Sequence, residues 1–243
     1  MKNISKGPKS DIIFKNLFMR IIAIIIFFTL ICKNLIAEEY NYKISTLNVT
    51  FATISLNLNK SYAAANIKSK GLIGFFYKFQ STAFTSYDDN TSEYKYTRSK
   101  KNFSKKLNAK FMGKDARINF ENIKTKKGYK KINISDLTKV SDPLSALTEI
   151  LKKGLNNCNF SEKVFDGEDV YILKLVDTNL TRNEHKLCTL YYQTVSGHKI
   201  KREKKLNNIK INIFYPVHNR DISNIYFETK VNNIPMKMIS TTK

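Results

Sequence analysis

Two cysteines and a nearby histidine are the residues of this sequence best suited to chemistry. Cys158 and Cys188 stand 30 positions apart, and His185 precedes Cys188 in the run HKLC. Thiolates and imidazoles bind zinc, and a three-residue spacing suits two ligands on one helix. However, residues 186–195 (KLCTLYYQTV) are typical of a strand, in which positions three apart face opposite sides of the sheet. The spacing therefore disfavours a metal site and leaves a disulfide or two free thiols as the main alternatives.

The other residues capable of acid–base or nucleophilic chemistry form no known catalytic pattern. His185, His198 and His218 are scattered along the chain, and we expect them at the surface or at strand edges. The acidic cluster within 166–169 lacks the spacing of a calcium loop and is typical of a solvated hairpin end. The sequence has no phosphate-binding loop, glycine-flanked serine or His-Glu-x-x-His motif. We therefore predict a non-catalytic protein with no cofactor and no metal.

The basic charge of the chain comes almost entirely from lysine. The 243 residues have a formal net charge of +22, with 36 Lys and only 6 Arg. Proteins that bind phosphates or read bases favour the planar, bidentate fork of arginine, and no nucleic-acid-binding motif is present. A content of 42% apolar residues also excludes a disordered polycation. We predict no nucleic-acid partner and a lysine-rich surface with affinity for anionic envelope components.

The first 37 residues have the pattern of an export signal. Basic residues up to Arg20 precede the uncharged apolar run Ile21–Cys32, which is twelve residues long. A helix needs about 20 residues to cross a bilayer, so the run is too short to span one and falls in the range of signal peptides. We predict cleavage after Ala37, with an uncleaved N-terminal anchor as the alternative. Residues 38–243 are then expected to form a single β-rich domain in the periplasm.

Export changes the expectation for the cysteines. Cys32 leaves with the signal, so only Cys158 and Cys188 remain in an oxidising compartment. A disulfide between them is the favoured arrangement, and closing a loop of about 30 residues would stabilise the fold by about 3–4 kcal/mol. Two free thiols stay the alternative.

The mature chain predicts strand after strand. Apolar and polar residues alternate with a period of two over 209–217 and again over 225–231. Such alternation is typical of an antiparallel sheet with one packed face and one solvated face. Asn207-Asn208, Asn232-Asn233 and Asp166-Gly167 are the expected turns, because asparagine and glycine tolerate the left-handed backbone conformation. The fold class is therefore mainly β (α+β), ending in a meander.

One amphipathic helix is predicted to interrupt the strands. Asp142 can cap its start, Pro143 suits its first turn, and Gly154 offers a left-handed stop. The apolar residues at helical spacing are Leu144, Leu147, Ile150, Leu151 and Leu155. We expect this face of the helix to pack on the sheet.

The most apolar stretch of the mature chain is 71–79 (GLIGFFYKF). Two glycines within four residues argue against a regular strand and favour a short helix or a bent loop. Its ordinary role is core packing. Alternatively, Leu72, Ile73, Phe75 and Phe76 line the mouth of an apolar cavity or contact a membrane.

A set of residues in the second half of the chain carries a family resemblance. They are Ser141, Asp142, Pro143, Leu144, Ser145, Ala146, Leu147, Cys158, Val164, Phe165, Asp166, Gly167, Tyr171, Cys188, Tyr191 and Gly197. Together they resemble the exported bacterial family of domain-of-unknown-function 3108, and weaker similarity reaches back to about Tyr40. The resemblance implies a periplasmic location, a disulfide between Cys158 and Cys188, and a strongly curved antiparallel sheet or half-barrel similar to the lipoprotein carriers of the outer-membrane pathway. The family has no established activity.

These expectations support two hypotheses of function. In the first, the half-barrel wraps around the packed helix and offers an apolar concavity to a lipid, an acyl chain, a lipidated peptide or an apolar segment of an envelope protein. The candidate ligand site consists of Leu72, Ile73, Phe75, Phe76, Leu144, Leu147 and Leu151. Lysines would add attraction to an anionic membrane surface. In the second hypothesis, a scaffolding envelope protein with a filled core acts through its basic surface.

Overall fold

The computed structural model describes residues 38–71, 78–100, 103–117, 127–231 and 233–241. The predicted signal peptide, residues 1–37, lies outside the described residues. The same holds for four members of the candidate ligand site, Leu72, Ile73, Phe75 and Phe76. These assignments stay predictions.

Strands dominate the described part of the chain. They are β1 Glu38–Thr46, β2 Val49–Leu58, β3 Tyr62–Ser69, β4 Phe79–Asp88, β5 Thr91–Lys100, β6 Phe103–Met112, β7 Asp115–Arg117, β8 Phe160–Phe165, β9 Val170–Arg182, β10 His185–Ser196, β11 Lys210–Pro216, β12 Tyr226–Val231 and β13 Ile234–Ser240. The helices are α1 Pro143–Gly154 and the short α2 Glu203–Asn207, with 3-10 turns at Ile134–Leu137, Ile200–Arg202 and Ile222–Asn224.

The strands form one antiparallel sheet of 13 strands in the order β7-β6-β5-β4-β3-β2-β1-β13-β12-β11-β10-β9-β8. It consists of two meanders, which are joined where β1 pairs with β13, from Tyr42 opposite Ser240 to Ser45 opposite Lys237. The sheet curves into a nearly closed barrel. The predicted mainly β fold, with a curved antiparallel sheet and a C-terminal meander, is confirmed, and the barrel is more complete than a half-barrel.

The connections between strands alternate between the two ends of the barrel, because every neighbouring pair is antiparallel. The β1–β2, β3–β4, β5–β6, β8–β9, β10–β11 and β12–β13 connections lie at one end, which we call the β1–β2 end. The β2–β3, β4–β5, β6–β7, β9–β10 and β11–β12 connections lie at the other, the β2–β3 end.

Two of the three predicted turns are confirmed. Asn233 has a φ of 67° between β12 and β13, and Gly167 has a φ of 99° between β8 and β9. A turn is present at Asn207-Asn208, where the amide of Ile209 donates to the carbonyl of Leu206 (3.0 Å), but the predicted left-handed hairpin turn is wrong, because Asn208 has a φ of −88° and ends α2. There the side-chain oxygen of Asn207 accepts hydrogen bonds from the backbone amide of Thr194 (2.7 Å) and its hydroxyl (2.9 Å). The asparagine satisfies the end of a strand rather than forming a left-handed turn.

A short segment before α1 closes the gap between the two edges of the sheet. The amide of Val140 donates to the carbonyl of Lys114 in the β6–β7 turn (2.6 Å). Next to it, the amide of Ser141 donates to the carbonyl of Lys163 on β8 (2.9 Å), and the amide of Phe165 donates back to Ser141 (3.0 Å). Backbone groups of both edges are therefore hydrogen-bonded to this segment, although β7 and β8 do not pair with each other.

The start of α1 is anchored to the inner wall by a buried carboxylate. Asp142 Oδ1 accepts hydrogen bonds from the amides of Leu144 (3.0 Å) and Ser145 (3.1 Å) and from the hydroxyl of Thr85 on β4 (2.6 Å). The Ser145 hydroxyl donates to Tyr87 Oη on the same strand (3.0 Å). The predicted cap at Asp142 and first turn at Pro143 are confirmed, and Thr85 fixes the cap to the barrel.

The end of α1 packs against the opposite wall. Tyr215 on β11 donates its hydroxyl proton to the carbonyl of Ile150 (2.9 Å). A Cβ atom on Gly154 would lie only 2.0 Å from the Tyr215 ring, so only glycine allows this approach. Gly154 is helical and does not supply the left-handed stop that the sequence suggested. Its role is close packing.

The helix lies inside the barrel and contacts β3, β4, β8 and β9. Leu144, Ile150 and Leu151 are buried in the core, whereas Leu147 is half-buried. Just beyond the helix, Cys158 forms a disulfide with Cys188 on β10, with the two Cα atoms 6.0 Å apart. The bond ties the end of the helix to the barrel wall.

Replacing both Cys158 and Cys188 with alanine is expected to lower the free energy of unfolding by about 3–4 kcal/mol, because the unfolded chain then regains the freedom of an open loop. Urea unfolding of the oxidised wild type and of the double variant measures the difference. Reduction of the wild type with dithiothreitol is the matched control. Equal unfolding midpoints with and without reductant would contradict the prediction.

Asp142→Ala is expected to lower the free energy of unfolding by about 1–3 kcal/mol, because it removes the helix cap and leaves buried donors without an acceptor. Asp142→Asn keeps a capping oxygen and should lose less. Urea unfolding of both variants tests this ranking, and an alanine variant as stable as the asparagine variant would contradict it.

Candidate functional site

The helix α1 covers part of the inward face of the barrel. Strand pairing places Leu56, Ala63, Thr85, Tyr94 and Ile213 on this face, and all of these side chains are buried. Their burial follows from their position beside the helix, since Thr85 bonds to its cap and Tyr215, on the face of Ile213, bonds to its end. This half of the interior is filled.

The same inward face is only partly buried one step closer to the β1–β2 end. Side chains two positions apart on a strand share a face, so each buried residue has an inward neighbour in that direction. These neighbours are Ile54, Ala65, Ala83, Tyr96 and Ile211, which we call the lumen cluster. All five are half-buried and pack against the core. The interior therefore has an apolar wall that neither α1 nor another described element covers fully.

A lysine and an acidic turn lie beside the lumen cluster. Lys105 lies two residues before the inward-facing Leu107 on β6, on the side of the β1–β2 end. Its Nζ lies 2.5 Å from Glu168 Oε2 in the β8–β9 turn. Burial alone would lower the pKa of Lys105, but the hydrogen bond and charge of Glu168 raise it overall. This ion pair connects β6 to the far edge of the sheet.

The turn at 166–169 is half-buried and not the solvated hairpin end that we expected. The Asp166 carboxylate accepts hydrogen bonds from the amides of Glu168 (2.9 Å) and Asp169 (2.8 Å). Burial raises the pKa of Asp166 despite these bonds. Burial, together with the charges of Asp166 and Glu168, raises the pKa of Asp169 to about 6. The turn is buried because Gly167 packs on β6, where an added Cβ would lie 3.3 Å from Leu107 Cβ.

His198 is 2% exposed, so its expected surface position is wrong. A Cβ on the adjacent Gly197 would lie 2.1 Å from the carbonyl oxygen of Glu168, so the end of β10 is pressed onto the acidic turn. Both ring nitrogens of His198 lack a hydrogen-bond partner in the described part of the chain, and Nε2 lies 3.8 Å from Glu203 Oε1. The buried hydroxyl of Ser196 has no hydrogen-bond partner there either. The serine hydroxyl and the histidine ring are not hydrogen-bonded to each other.

The residues predicted from the sequence fall in three places. Leu144 and Leu151 lie in the filled core, whereas Leu147 is half-buried on the same helix. The motif residues Asp142, Pro143 and Leu144 lie at the start of α1, and Phe165, Asp166 and Gly167 form the end of β8 and the β8–β9 turn. The lumen cluster was missed. The sequence signal for these residues was the alternation of apolar and polar positions in each strand. That alternation shows which side chains lie on the same face of the sheet, but not which part of the face is covered by other elements.

Comparison with known proteins shows the fold. The chain is similar to the crystal structure of a β-barrel-like protein of domain of unknown function DUF1849 from Brucella abortus, with a TM-score of 0.50 and 10% identity, covering 86% of this chain and 97% of that chain. The fold is β-barrel-like. No protein-family model and no curated protein matches the chain. Membership of the domain-of-unknown-function 3108 family therefore stays a prediction.

The described residues contain neither a helix that could cross a membrane nor a side-chain cluster that could hold a metal ion. None of their helices is long and apolar enough to cross a membrane. Their histidine, cysteine, aspartate and glutamate side chains form no group of three or more that could hold a metal ion.

Asp169→Asn is expected to stabilise the protein at neutral pH. Because the pKa of Asp169 is raised from 3.8 to about 6 by folding, its contribution to stability is full below about pH 3.8 and is lost as the pH rises through about 6. Asparagine cannot ionise, so the variant should be more stable than the wild type by about 1–2 kcal/mol at pH 7.5, with the difference shrinking towards pH 4.

Asp177→Asn is the matched control, because its hydrogen bond with Lys186 lowers the pKa of Asp177. That variant should lose stability at pH 7.5. Urea unfolding at both pH values measures the two variants, and a D169N protein less stable than the wild type at pH 7.5 would contradict the prediction.

Proposed function

We propose that this chain is an exported, non-catalytic binding protein of the bacterial envelope, and that its lumen takes an apolar ligand such as a lipid, an acyl chain or a lipidated peptide. The observation that carries the proposal is the lumen cluster, an inward-facing apolar wall that is only partly buried inside the barrel. The export signal predicted for residues 1–37 supports the periplasmic location.

The chemistry of the lumen cluster favours an apolar ligand. Four of its five members are aliphatic, and its tyrosine, Tyr96, lies with its hydroxyl 3.5 Å from the hydroxyl of Ser81. Each methylene group that leaves water for such a wall contributes about 0.8 kcal/mol. A chain of several methylene groups would therefore bind without charged partners. Ligand sites of this kind are apolar concavities with few polar groups.

The filled half of the barrel favours a second candidate function. Ile150, Leu151 and Tyr215 are buried and occupy the interior at the level of α1. A scaffolding protein that acts through its basic surface would need only this filled core. Recovery of delipidated and untreated protein with the same mass in native mass spectrometry would favour the second candidate.

Ala65→Phe tests the first candidate. Ala65 lies in the lumen cluster, opposite Leu56 and Ala83. A phenylalanine there should fill the lumen and lower the affinity for a fluorescent fatty acid at least tenfold, because the ligand must displace or avoid the new ring. Titration of the probe into delipidated protein measures the affinity.

Ala64→Phe is the matched control. Ala64 is the preceding residue on β3 and faces the other side of the sheet, opposite Phe84. This variant should bind the probe within twofold of the wild type, and thermal unfolding shows that both variants are folded. Equal binding by the two variants, or no uptake by the wild type, would rule out the lumen as the site.

A further inference from the structure

The β1–β2 end of the barrel carries neighbouring exposed apolar side chains. Leu47 and Val49 in the first hairpin are 81% and 53% exposed, and Ile234 at the start of β13 is 52% exposed. The two hairpins are adjacent because β1 pairs with β13, and the Thr46 hydroxyl donates to the carbonyl of Pro235 (2.7 Å). We call Leu47, Val49 and Ile234 the apolar tips.

Leucine is an unfavourable residue at position 47, because the position is exposed and its backbone is left-handed. Leu47 and Asn48 both have left-handed backbones, with φ of 46° and 64°. Hairpin turns of this kind favour asparagine, aspartate or glycine, which adopt positive φ at low cost and keep polar groups in water. Asn48 fits this rule, but Leu47 satisfies neither part of it. Packing among the described residues leaves Leu47 81% exposed and does not account for a leucine here, so a surface role is the better explanation.

Basic residues surround the apolar tips. The β10–β11 connection, residues 199–210, contains six basic residues and one acidic residue and lies at the same end. Lys70 and Lys78 flank the β3–β4 connection, and Lys230 precedes the turn that leads to Ile234; all three are exposed.

The opposite end of the barrel has a different character. Acidic residues lie in or beside its connections, at Glu38, Glu39, Asp88, Asp89, Asp115, Glu184 and Asp221, together with the basic residues Lys60, Lys114, Arg117, Arg182, Lys186 and Arg220. The two signs nearly cancel there, whereas the basic residues around the apolar tips outnumber the described acidic residues in the connections of the β1–β2 end, which are Glu203 and the half-buried Asp166, Glu168 and Asp169.

We propose that the β1–β2 end docks on an anionic lipid bilayer, with the apolar tips inserted among the head groups and the lysines paired with lipid phosphates. A bilayer offers negative charge and an apolar layer side by side, and both features are present together at this end. An acidic protein or a nucleic acid would match the lysines alone. This inference rests on the proposed function in one respect, since it names the source from which the lumen takes its ligand.

The test uses the chain from Glu38 to Lys243, whose contacts form one compact unit, so that the apolar run within residues 1–37 does not itself bind lipid. Cosedimentation with vesicles of phosphatidylglycerol and phosphatidylethanolamine should show binding that weakens in high salt, and vesicles of phosphatidylcholine alone should bind at least tenfold less. Equal binding to both vesicle types, or none to either, would overturn the proposal.

Two sets of variants locate the surface. Serine at Leu47, Val49 and Ile234 should reduce vesicle binding at least tenfold. The matched control places serine at Met112, Leu180 and Val217, which are also exposed but lie at the β2–β3 end, and should bind like the wild type. Binding that depends on salt but is unchanged in the apolar-tip variant would overturn bilayer insertion and favour an acidic macromolecule.

Charge variants complete the test. Lys201→Gln with Lys204→Gln should weaken vesicle binding about fivefold per charge, whereas Lys60→Gln with Lys152→Gln, far from the β1–β2 end, should not. The apolar-tip variant should still take up the soluble fatty-acid probe, and Ala65→Phe should still sediment with vesicles. If the wild-type protein binds vesicles but takes up no probe, the proposed lumen function is wrong. If it takes up the probe but binds no vesicles, the proposed docking surface is wrong.

Discussion

The pairing of the first described strand with the last is the constraint on which the rest of the structure depends. Without the β1–β13 ladder, the two meanders would be separate sheets, each with two open edges. With it, their inner faces enclose one interior. The remaining gap is bridged by Val140 and Ser141, and the next residue, Asp142, caps α1. Closure of the barrel and insertion of the helix are therefore linked through three consecutive residues.

The position of α1 makes the interior unequal along its axis. Hydrogen bonds fix its start to β4 and its last turn to β11, so the helix fills one half and leaves the lumen cluster in the other. The lumen cluster lies on the side of the helix nearer the end that also carries the lysines of the β10–β11 connection. Apolar lining, basic charge and exposed apolar tips are thus properties of one end, and a single orientation on a surface would use all three.

Local sequence patterns predicted the local structure, and non-local packing decided the rest. The cap at Asp142 and the turn at Gly167 depend on a few neighbouring residues, so both could be found in the sequence. The need for glycine at position 154 could not be found in the sequence. It arises from the close approach of the Tyr215 ring, which belongs to a residue more than 60 positions away. His198 was misplaced for the same reason, because its burial depends on contact between the end of β10 and the β8–β9 turn. The lumen cluster could be predicted only from the position of α1, which determines how much of the inner face of the barrel the helix covers.

The meeting of β1 and β13 also gives the fold a circular character. The amide of Thr241 donates to the carbonyl of Asn41 (2.6 Å), so the last described residues run beside the first. The strands consequently follow one another around the barrel in chain order, with Val140 and Ser141 in place of a ladder between β7 and β8, and the break between β13 and β1 is one of chain order. A circularly permuted chain, with a short linker across this point and new termini in another connection, would retain every ladder of the barrel.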